Sequence, residues 1–282
     1  MTTYLNNYQN SIYSTSISDF YNGVLKVGDG NFYGTGNLLY DGRSLLTAAH
    51  VFDGRNYDRL KIYLYDGVNN FTAYANVKIH SRYDDYDLND DIAIVTFEQT
   101  FDSMYQRYQL YRDNSEINKK YTAVGYGDVG TGYTGETFAD EIYKLKTTNT
   151  FDADLKTLID YANIKLQWKP IKDAILISDF DNGYSNTDII GSLSNKPHYG
   201  TGDMEGLIAS GDSGGAAFIN GLIAAIASYT ATIGPTATAG DIDDEINSSY
   251  GEIAGYQRVS YNQEFIDKTV RQNYPDAPKT KE

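Results

Sequence analysis

The amino-acid sequence predicts an all-β protein, folded as a sandwich or a barrel. Short apolar, strand-like runs recur along the 282-residue chain and are separated by Gly, Asn and Asp, a spacing typical of such folds. The chain is 41% hydrophobic, so it can bury a large core as one domain or as two packed halves. The strand-like runs cover residues 23–27, 43–49, 60–65, 91–97, 121–127 and 221–230.

Helical periodicity is scarce in this sequence. Residues 152–162 and 262–274 place apolar side chains on one face, and an aspartate can cap the first of these helices. The strand pattern lapses over residues 103–120, which predicts a connection between two halves. The polar tail at 275–282 predicts a frayed end or a linker to a further C-terminal domain beyond residue 282.

The composition excludes several classes of function. The formal net charge is −15 and the sequence pI is about 4.5, so the surface repels phosphate backbones and anionic lipid. We therefore expect no nucleic-acid partner. We also expect no membrane insertion, because the longest apolar run, residues 221–227, is too short to span a bilayer. The absence of cysteine excludes disulfides, thiolate catalysis and Cys-based zinc sites.

The start of the chain does not look like a secretory leader. The segment MTTYLNNYQNSIYS has neither a charged region nor an apolar one. Three explanations stay open: the protein remains inside the cell, it leaves by another route, or the sequence begins after a removed leader.

The segment SGDSGGAAF, residues 210–218, has the composition of a nucleophile loop. A serine hydroxyl is a weak nucleophile, so it needs a base, a carboxylate that orients the base, and donors for the oxyanion. The surrounding glycines allow a sharp turn, in which the N–H groups of Gly211 and Ser213 can point into one pocket. A plain β-turn before a buried strand explains the segment equally well.

Three histidines are the candidates for such a base. His50 lies at the end of the apolar run LLTAAHVF, from which its side chain can emerge into a cleft. His80 lies in the segment VKIHSRY and His198 in the segment KPHYGTG. Asp91 directly precedes a strongly apolar strand, a context that can bury a carboxylate and let it orient a histidine. For each residue taken alone the alternative is structural: a core or turn histidine, and a solvated turn for Asp90 and Asp91.

Taken in order, the segments TAAH, NDDIAIV and GDSGG resemble the chymotrypsin-like (trypsin-like) serine proteases. The segments GTGNLLYDGRSLLTAAH, IHSRYDDYDLNDDIAIV and AVGYG also resemble parts of that family, so the resemblance covers roughly residues 20–272. It implies two packed six-stranded antiparallel β-barrels with a C-terminal helix and a short helix in the second half. The N-terminal barrel would span residues 1–112 and the C-terminal barrel residues 113–282.

The resemblance implies a serine endopeptidase that cleaves protein or peptide substrates through an acyl-enzyme intermediate. By position, His50 matches the general base and Asp91 matches the carboxylate that orients it. Ser213 matches the nucleophile, and its N–H group would form the oxyanion hole together with that of Gly211. Ser228 matches the serine whose backbone pairs with the substrate.

The same match predicts the primary specificity pocket. Leu207 would form its floor, Thr230 and Ala254 its walls, and Tyr229 its aromatic lining. None of these residues is acidic, so we expect an apolar substrate side chain rather than Lys or Arg. The acidic stretch 240–252 should border the pocket. A solvated loop, able to bind calcium, is the favoured interpretation, and folding of the stretch into the pocket would restore a preference for basic residues.

The chain also departs from the family. It has no cysteine, as in some bacterial members, and it lacks an Ile-Val-Gly-Gly-like start. In the family a freed N-terminus pairs with the aspartate beside the nucleophile, here Asp212, so the partner of Asp212 and any zymogen step are open. No cofactor is expected for catalysis. The spacing of Asp179, Asp181 and Gly183 is similar to the start of a calcium loop, but the later EF-hand ligands are missing and a turn between strands is the favoured interpretation.

Two alternatives to an active enzyme stay open. One is a protease-fold binding or adhesion module that has lost competence because Asp212 is unpaired and the oxyanion hole has collapsed. The other is an inactive precursor that awaits removal of part of residues 1–20. The family resemblance, together with the acidic, Cys-free composition, implies an extracellular location.

Overall fold

The described part of the chain is built mainly from β-strands, arranged in one closed barrel and two further sheets. A computed structural model describes residues 1–234 and 240–273; the polar tail at 275–282 lies outside these described residues. The strands are β1 (Thr2–Thr3), β2 (Val24–Gly28), β3 (Tyr33–Leu38), β4 (Ser44–Thr47), β5 (Tyr57–Tyr65), β6 (Asn70–Ile79), β7 (Ala93–Phe97), β8 (Lys120–Gly125), β9 (Val129–Thr131), β10 (Gly135–Thr137), β11 (Leu145–Thr150), β12 (Ala153–Asp154), β13 (Ile175–Asp179), β14 (Gly206–Leu207), β15 (Ala216–Ile219), β16 (Leu222–Ala231) and β17 (Ile253–Arg258).

Helices are short and few within the described residues. They are α1 (Leu155–Tyr161), α2 (Ile189–Ser194), α3 (Val259–Asn273) and a 3₁₀ turn, His50–Phe52. The helices α1 and α3 lie where the apolar spacing predicted them. The helix α2 was not predicted, because six residues show no periodic face; it begins where the Asp188 carboxylate accepts the N–H of Gly191 at 2.9 Å. No helix in the described ranges is long and apolar enough to cross a membrane.

Six strands close into the first barrel, in the order β2-β3-β4-β7-β6-β5. Strands β5 and β6 largely alternate between exposed and buried residues, because one face lines the barrel interior and the other faces solvent. Strand β7 is buried along its whole length, since it packs against helix α3 on its other side. The mainly apolar sequence of β7 is thus explained by burial on both faces.

The second half of the chain forms a seven-stranded half-barrel sheet, in the order β11-β8-β15-β16-β17-β13-β12. A four-stranded sheet, β10-β9-β1-β14, adjoins it, and in this sheet β1 pairs with both β9 and β14. The first residues of the chain are therefore paired with strands of the second half. The predicted fold class is confirmed: a mostly β protein with a closed six-stranded barrel, a second curved sheet and a C-terminal helix. The domain division at residue 112 stays a prediction.

Helix α3, which follows β17 of the second half, packs against the first barrel. Val259, Ile266 and Val270 are fully buried in the same apolar cluster as the barrel strands. Phe265 adds an edge-to-face contact with His80, with ring centroids 4.5 Å apart. This packing holds the loops of the two halves, which carry the candidate site residues, against each other.

Candidate active site

Ser213 lies on a sharply turned loop immediately before β15. Gly211 and Gly214 have φ angles of +88° and +84°, in the left-handed region that glycine adopts without strain. A Cβ atom at Gly214 would lie 2.1 Å from Thr47 Oγ1, so a larger residue does not fit there. The glycines of the GDSGG segment are therefore required by the turn itself.

Two backbone donors on this loop are unused. Among the described residues, neither the N–H of Gly211 nor that of Ser213 donates a hydrogen bond, whereas the N–H of Asp212 donates to Ala209 O at 2.9 Å and that of Gly214 to Ala227 O at 2.8 Å. Two free donors on one turn are what an oxyanion site requires.

The first barrel holds the Ser213 loop in place through strand β3. The N–H of Thr35 donates to Ser213 O at 2.8 Å, and the Thr35 hydroxyl donates to Gly211 O at 3.2 Å. Asn37 Nδ2 donates to Gly214 O at 2.7 Å. The sequence pattern did not single out Thr35 or Asn37, because the residues they contact lie more than 170 positions away.

His50 and Asp91 form a tight pair at the edge of the first barrel. His50 Nδ1 lies 2.7 Å from Asp91 Oδ2, and the His50 N–H donates to Asp91 Oδ1 at 2.9 Å. The Ser228 hydroxyl donates to Asp91 Oδ2 at 2.5 Å. The Asp91 side chain is 0% exposed, while that of His50 is 32% exposed. A carboxylate at Nδ1 favours the tautomer with hydrogen on Nδ1, which leaves the lone pair of Nε2 available.

The electrostatics of this pair suit a proton acceptor. Burial lowers the pKa of His50, but the charge of Asp91 and its hydrogen bond outweigh burial and leave that pKa above its ordinary value. Asp91 can raise the pKa of His50 because its carboxylate is buried. It lies just before the apolar strand β7, the position from which the sequence predicted its burial.

The His50 turn and the Ser213 loop meet at strand β3. A Cβ atom at Gly34 would lie 2.6 Å from Ser213 O and 2.6 Å from a methyl group of Val51, the residue after His50. Within the described ranges no hydrogen bond joins the Ser213 hydroxyl to His50; such bonds often tighten only when substrate binds. The structure thus brings three distant sequence segments to one place.

The other two histidines and Asp90 belong to different contacts. Asp90 accepts two hydrogen bonds from Arg82, at 2.9 and 3.0 Å, and so does not share in the His50 pair. His80 Nδ1 accepts the N–H of Arg82 at 3.2 Å, and burial lowers the pKa of His80. His198 lies apart from this site, in the second half of the chain.

Asp212, whose partner the sequence left open, forms a buried ion pair with the start of the chain. The α-ammonium group of Met1 lies 2.9 Å from Asp212 Oδ2, and the two groups are 1% and 0% exposed. Asp212 also accepts the N–H groups of Gly127 and Ala209, at 2.8 and 2.9 Å. The ammonium group donates to Asp128 O as well. Strand β1 holds Met1 there without an Ile-Val-Gly-Gly motif.

Glu136 is a further polar residue at the nucleophile loop. The N–H and the hydroxyl of Ser210 donate to its two carboxylate oxygens, at 2.6 and 2.7 Å. Sequence analysis missed this contact because Glu136 lies in β10, which no motif marks.

Of the residues predicted to form the specificity pocket, Tyr229, Thr230 and Ala254 lie on the neighbouring strands β16 and β17, and Leu207 lies on β14. Leu207 and Ala254 are fully buried and share one apolar cluster. Thr230 on β16 is the register partner of Ala254 on β17. The ring of Tyr229 packs on Gly255, where a Cβ atom would lie 2.2 Å from it.

The acidic stretch 240–252 is tied to its own backbone and to β10. Glu252 is fully buried, and its Oε1 accepts the N–H groups of Asn247 and Ser249 at 2.8 and 2.9 Å. The N–H of Glu136 donates to Asn247 O at 2.6 Å. The buried glutamate therefore organises this loop from within.

Comparison with known proteins places the chain in a family. The family model described as Trypsin matches residues 11–165, more than half of the chain, a range that includes His50 and Asp91 but ends before Ser213. The chain is similar in structure to mouse neuropsin, a serine protease expressed in the limbic system, with TM-score 0.62 and 15% identity over 92% of this chain and 98% of that one.

It is also similar to a scabies mite inactivated protease paralogue, with TM-score 0.62 and 18% identity over 93% of this chain and 97% of that one. At these identities the two structures show the fold alone. A search of curated protein sequences gave no match. The family match and the fold agree, and the chain belongs to the trypsin family.

Proposed function

We propose that this protein is an active serine endopeptidase in which Ser213 is the nucleophile. His50 Nε2 accepts the proton of the Ser213 hydroxyl as its oxygen attacks the substrate carbonyl carbon. Asp91 holds the imidazole in the required tautomer and stabilises the imidazolium that forms. The N–H groups of Gly211 and Ser213 stabilise the oxyanion; one such donor is typically worth about 3 kcal/mol in the transition state.

The second half of the reaction uses the same groups. The imidazolium gives its proton to the leaving amine, which departs as the peptide bond breaks and leaves an acyl-enzyme ester on Ser213. His50 then takes a proton from a water molecule, the hydroxide attacks the ester, and the proton returns to Ser213. Trypsin-like proteases need no cofactor for this chemistry.

The observation that carries the proposal is the buried Met1–Asp212 ion pair. The competing possibility, a binding module with a collapsed oxyanion hole, requires Asp212 to lack a counter-charge. Here the carboxylate has one at 2.9 Å, and the two N–H donors beside it are unused by the described residues. This favours catalysis over the binding module.

We propose an apolar preference for the substrate residue before the scissile bond. The support is the burial of Leu207 and Ala254 in an apolar cluster. Ser228 is the extra residue of a bulge in β16 that the pairing with β17 skips. Its backbone is therefore available to an extended substrate, and Thr230 and Tyr229 flank it.

The domain division and the location of the protein are proposals as well. His50 and Asp91 lie in the first barrel and Ser213 in the second half, so a boundary near residue 112 places the substrate cleft between the halves 1–112 and 113–282. Trypsin-like proteases are commonly secreted, and on that ground we propose an extracellular role.

Peptide-library digestion tests activity and preference together. The full chain is incubated with a mixture of unstructured peptides, and mass spectrometry identifies the new ends. We expect internal cleavage after apolar residues that disappears in the Ser213→Ala and His50→Ala variants. Cleavage mostly after Lys or Arg would overturn the pocket proposal. Cleavage that survives in Ser213→Ala would overturn the assigned nucleophile.

A further inference from the structure

A group of carboxylates is buried together at the end of β13, away from the candidate active site. One oxygen from each of Asp179, Asp181 and Asp188 lies within 4.8 Å of the others, and all three residues are buried. The carboxylate of Glu205 lies beside them, fully buried, with its Oε1 accepting the N–H of Asp181 at 2.9 Å. Within the described residues no Lys, Arg or His forms an ion pair with any of these four.

Asp181 is the least satisfied member of the group. It is 1% exposed, and neither of its carboxylate oxygens accepts a hydrogen bond from a described residue. A buried carboxylate in this state strongly destabilises a fold unless something positive balances it.

The other two carboxylates are held in position by the backbone. Asp179 Oδ2 accepts the N–H of Ile190 at 2.7 Å. The two oxygens of Asp188 accept the N–H groups of Gly191 and His198, at 2.9 and 3.1 Å. These bonds fix the orientation of both groups, and because each carboxylate oxygen has two lone pairs, both groups keep acceptor capacity for a cation.

We propose that Asp179, Asp181 and Asp188 bind a structural Ca²⁺ ion. Calcium takes oxygen ligands at 2.3–2.6 Å, so two oxygens on one ion lie at most about 5.2 Å apart. One oxygen from each of the three carboxylates lies within 4.8 Å of the others, so a single ion can contact all three. Calcium also accepts irregular geometry and several carboxylates, whereas magnesium demands a near-ideal octahedron and keeps most of its waters. The chemistry therefore favours calcium.

The ion would connect three segments of the second half. Asp179 ends β13 and is the register partner of Ile253, next to Ala254 on β17. Asp188 caps helix α2. Glu205, beside the ion, directly precedes β14, and its carbonyl oxygen accepts the N–H of Tyr4 at 2.9 Å. Bound calcium would thus hold together the strands behind the proposed pocket, and this role does not depend on peptidase activity.

Calorimetric titration with CaCl₂ tests the site. The full chain carries Ser213→Ala in every sample, so that self-digestion cannot mimic the effect of chelation. We expect the Asp181→Asn substitution to abolish one calcium site or weaken its binding by at least about tenfold. Asp58→Asn is the matched control: Asp58 is exposed in the first barrel, the charge change is the same, and binding should not change.

Thermal melting of the same proteins gives a second, independent result. Calcium at about 100 times its dissociation constant should raise the melting temperature by about 5 °C or more. In chelator the Asp181→Asn protein should melt higher than its parent, because the neutral amide avoids the cost of burying an ionisable group that has no hydrogen-bond donor. In calcium the order should reverse. If the carboxylates are instead balanced by bound protons and hold no ion, calcium should not change the melting temperature of either protein.

Terbium diffraction covers the case in which Asp181→Asn does not fold. Crystals of the parent protein soaked in TbCl₃ should give an anomalous peak between Asp179, Asp181 and Asp188. The proposal is overturned by the absence of both binding heat and a melting shift in millimolar calcium. It is overturned equally by undiminished binding in a folded Asp181→Asn protein, or by a peak only in the stretch 240–252.

Discussion

Two groups of buried carboxylates in this molecule have opposite surroundings. In the candidate active site, Asp91 accepts donors from His50 and Ser228, and Asp212 accepts the ammonium group of Met1 and two backbone N–H groups. At the end of β13, Asp181 accepts none from the described residues. At Asp91 and Asp212 the chain supplies the hydrogen-bond donors and so fixes the orientation of each carboxylate. At Asp181 it supplies none, and an external cation is the simplest source of a counter-charge.

Neutralising a carboxylate should therefore have opposite effects on stability in the candidate active site and at the end of β13. At Asp91 or Asp212 the loss of charge leaves organised donors without their acceptor, which is costly. At Asp181 it removes repulsion and leaves no donor stranded.

The largest effect is expected from Asp91→Asn. The amide cannot hold the Nδ1–H tautomer of His50, so kcat should fall by about 10⁴-fold. Asp90→Asn is the matched control, because Asp90 contacts Arg82 rather than His50 and asparagine tolerates its positive φ of 53°. Steady-state kinetics on a cleaved peptide should separate the two variants; equal losses would refute the role given to Asp91.

Extension of the chain before Met1 should give the next largest effect. Two added residues convert the ammonium group into an amide and leave Asp212 buried without its counter-charge, a change that typically costs about 3–5 kcal/mol. If this cost lowers the fraction of molecules whose Ser213 loop is folded for catalysis, 3 kcal/mol corresponds to about a 100-fold loss in kcat/KM. Mass spectrometry must confirm the N-terminal residue of each protein. Full activity in a folded, extended protein would show that the ion pair is dispensable.

The pH dependence of kcat/KM should reveal the Asp91 charge. His50 acts as a base only when neutral, so activity should fall tenfold per unit as pH drops below its pKa, which lies above the ordinary value because of Asp91. In Asp91→Asn the raising influence is lost while burial still lowers the pKa, and the acidic limb should move to lower pH. An unmoved limb would assign it to another group.

The smallest effect is expected from Glu136→Gln. The amide keeps one of the two oxygen acceptors for Ser210 and loses the other. Loss of one hydrogen bond at a partly exposed position costs about 1 kcal/mol, which would lower kcat/KM about fivefold. Glu141→Gln, an exposed position whose only side-chain contact in the described chain is with Tyr143, is the control. A loss above about 100-fold would mean that Glu136 contributes more than loop positioning.

Sequence analysis identified the candidate residues whose proposed role is indicated by the residues next to them in the sequence. His50, Asp91 and Ser213 each lie in a short segment of diagnostic composition, and the structure brings these segments together. Short strand-like runs separated by turn residues predicted a sandwich or barrel for the same reason, and the family resemblance implied the six-stranded first barrel. The helices α1 and α3 were predicted because their apolar faces are long enough to show a period.

What could not be predicted depends on partners far apart in the sequence. The ammonium group of Met1 pairs with Asp212, which lies more than 200 positions later in the sequence, and no motif marks Met1 once the usual starting residues are absent. In the carboxylate cluster, the spacing of Asp179 and Asp181 suggested a calcium loop, but Asp188 and Glu205 lie outside the EF-hand register. A linear pattern shows neither how close they come nor that Asp181 lacks a donor.

Labelling with a fluorophosphonate probe tests the central claim, that Ser213 is an activated nucleophile, most directly. The probe reacts with serines that have a working base and oxyanion site, whatever the substrate preference. We predict one adduct per chain, located on Ser213 by mass spectrometry, and its loss in His50→Ala and in the chain extended before Met1. Absence of the adduct from folded protein with a free Met1 amine would contradict the account.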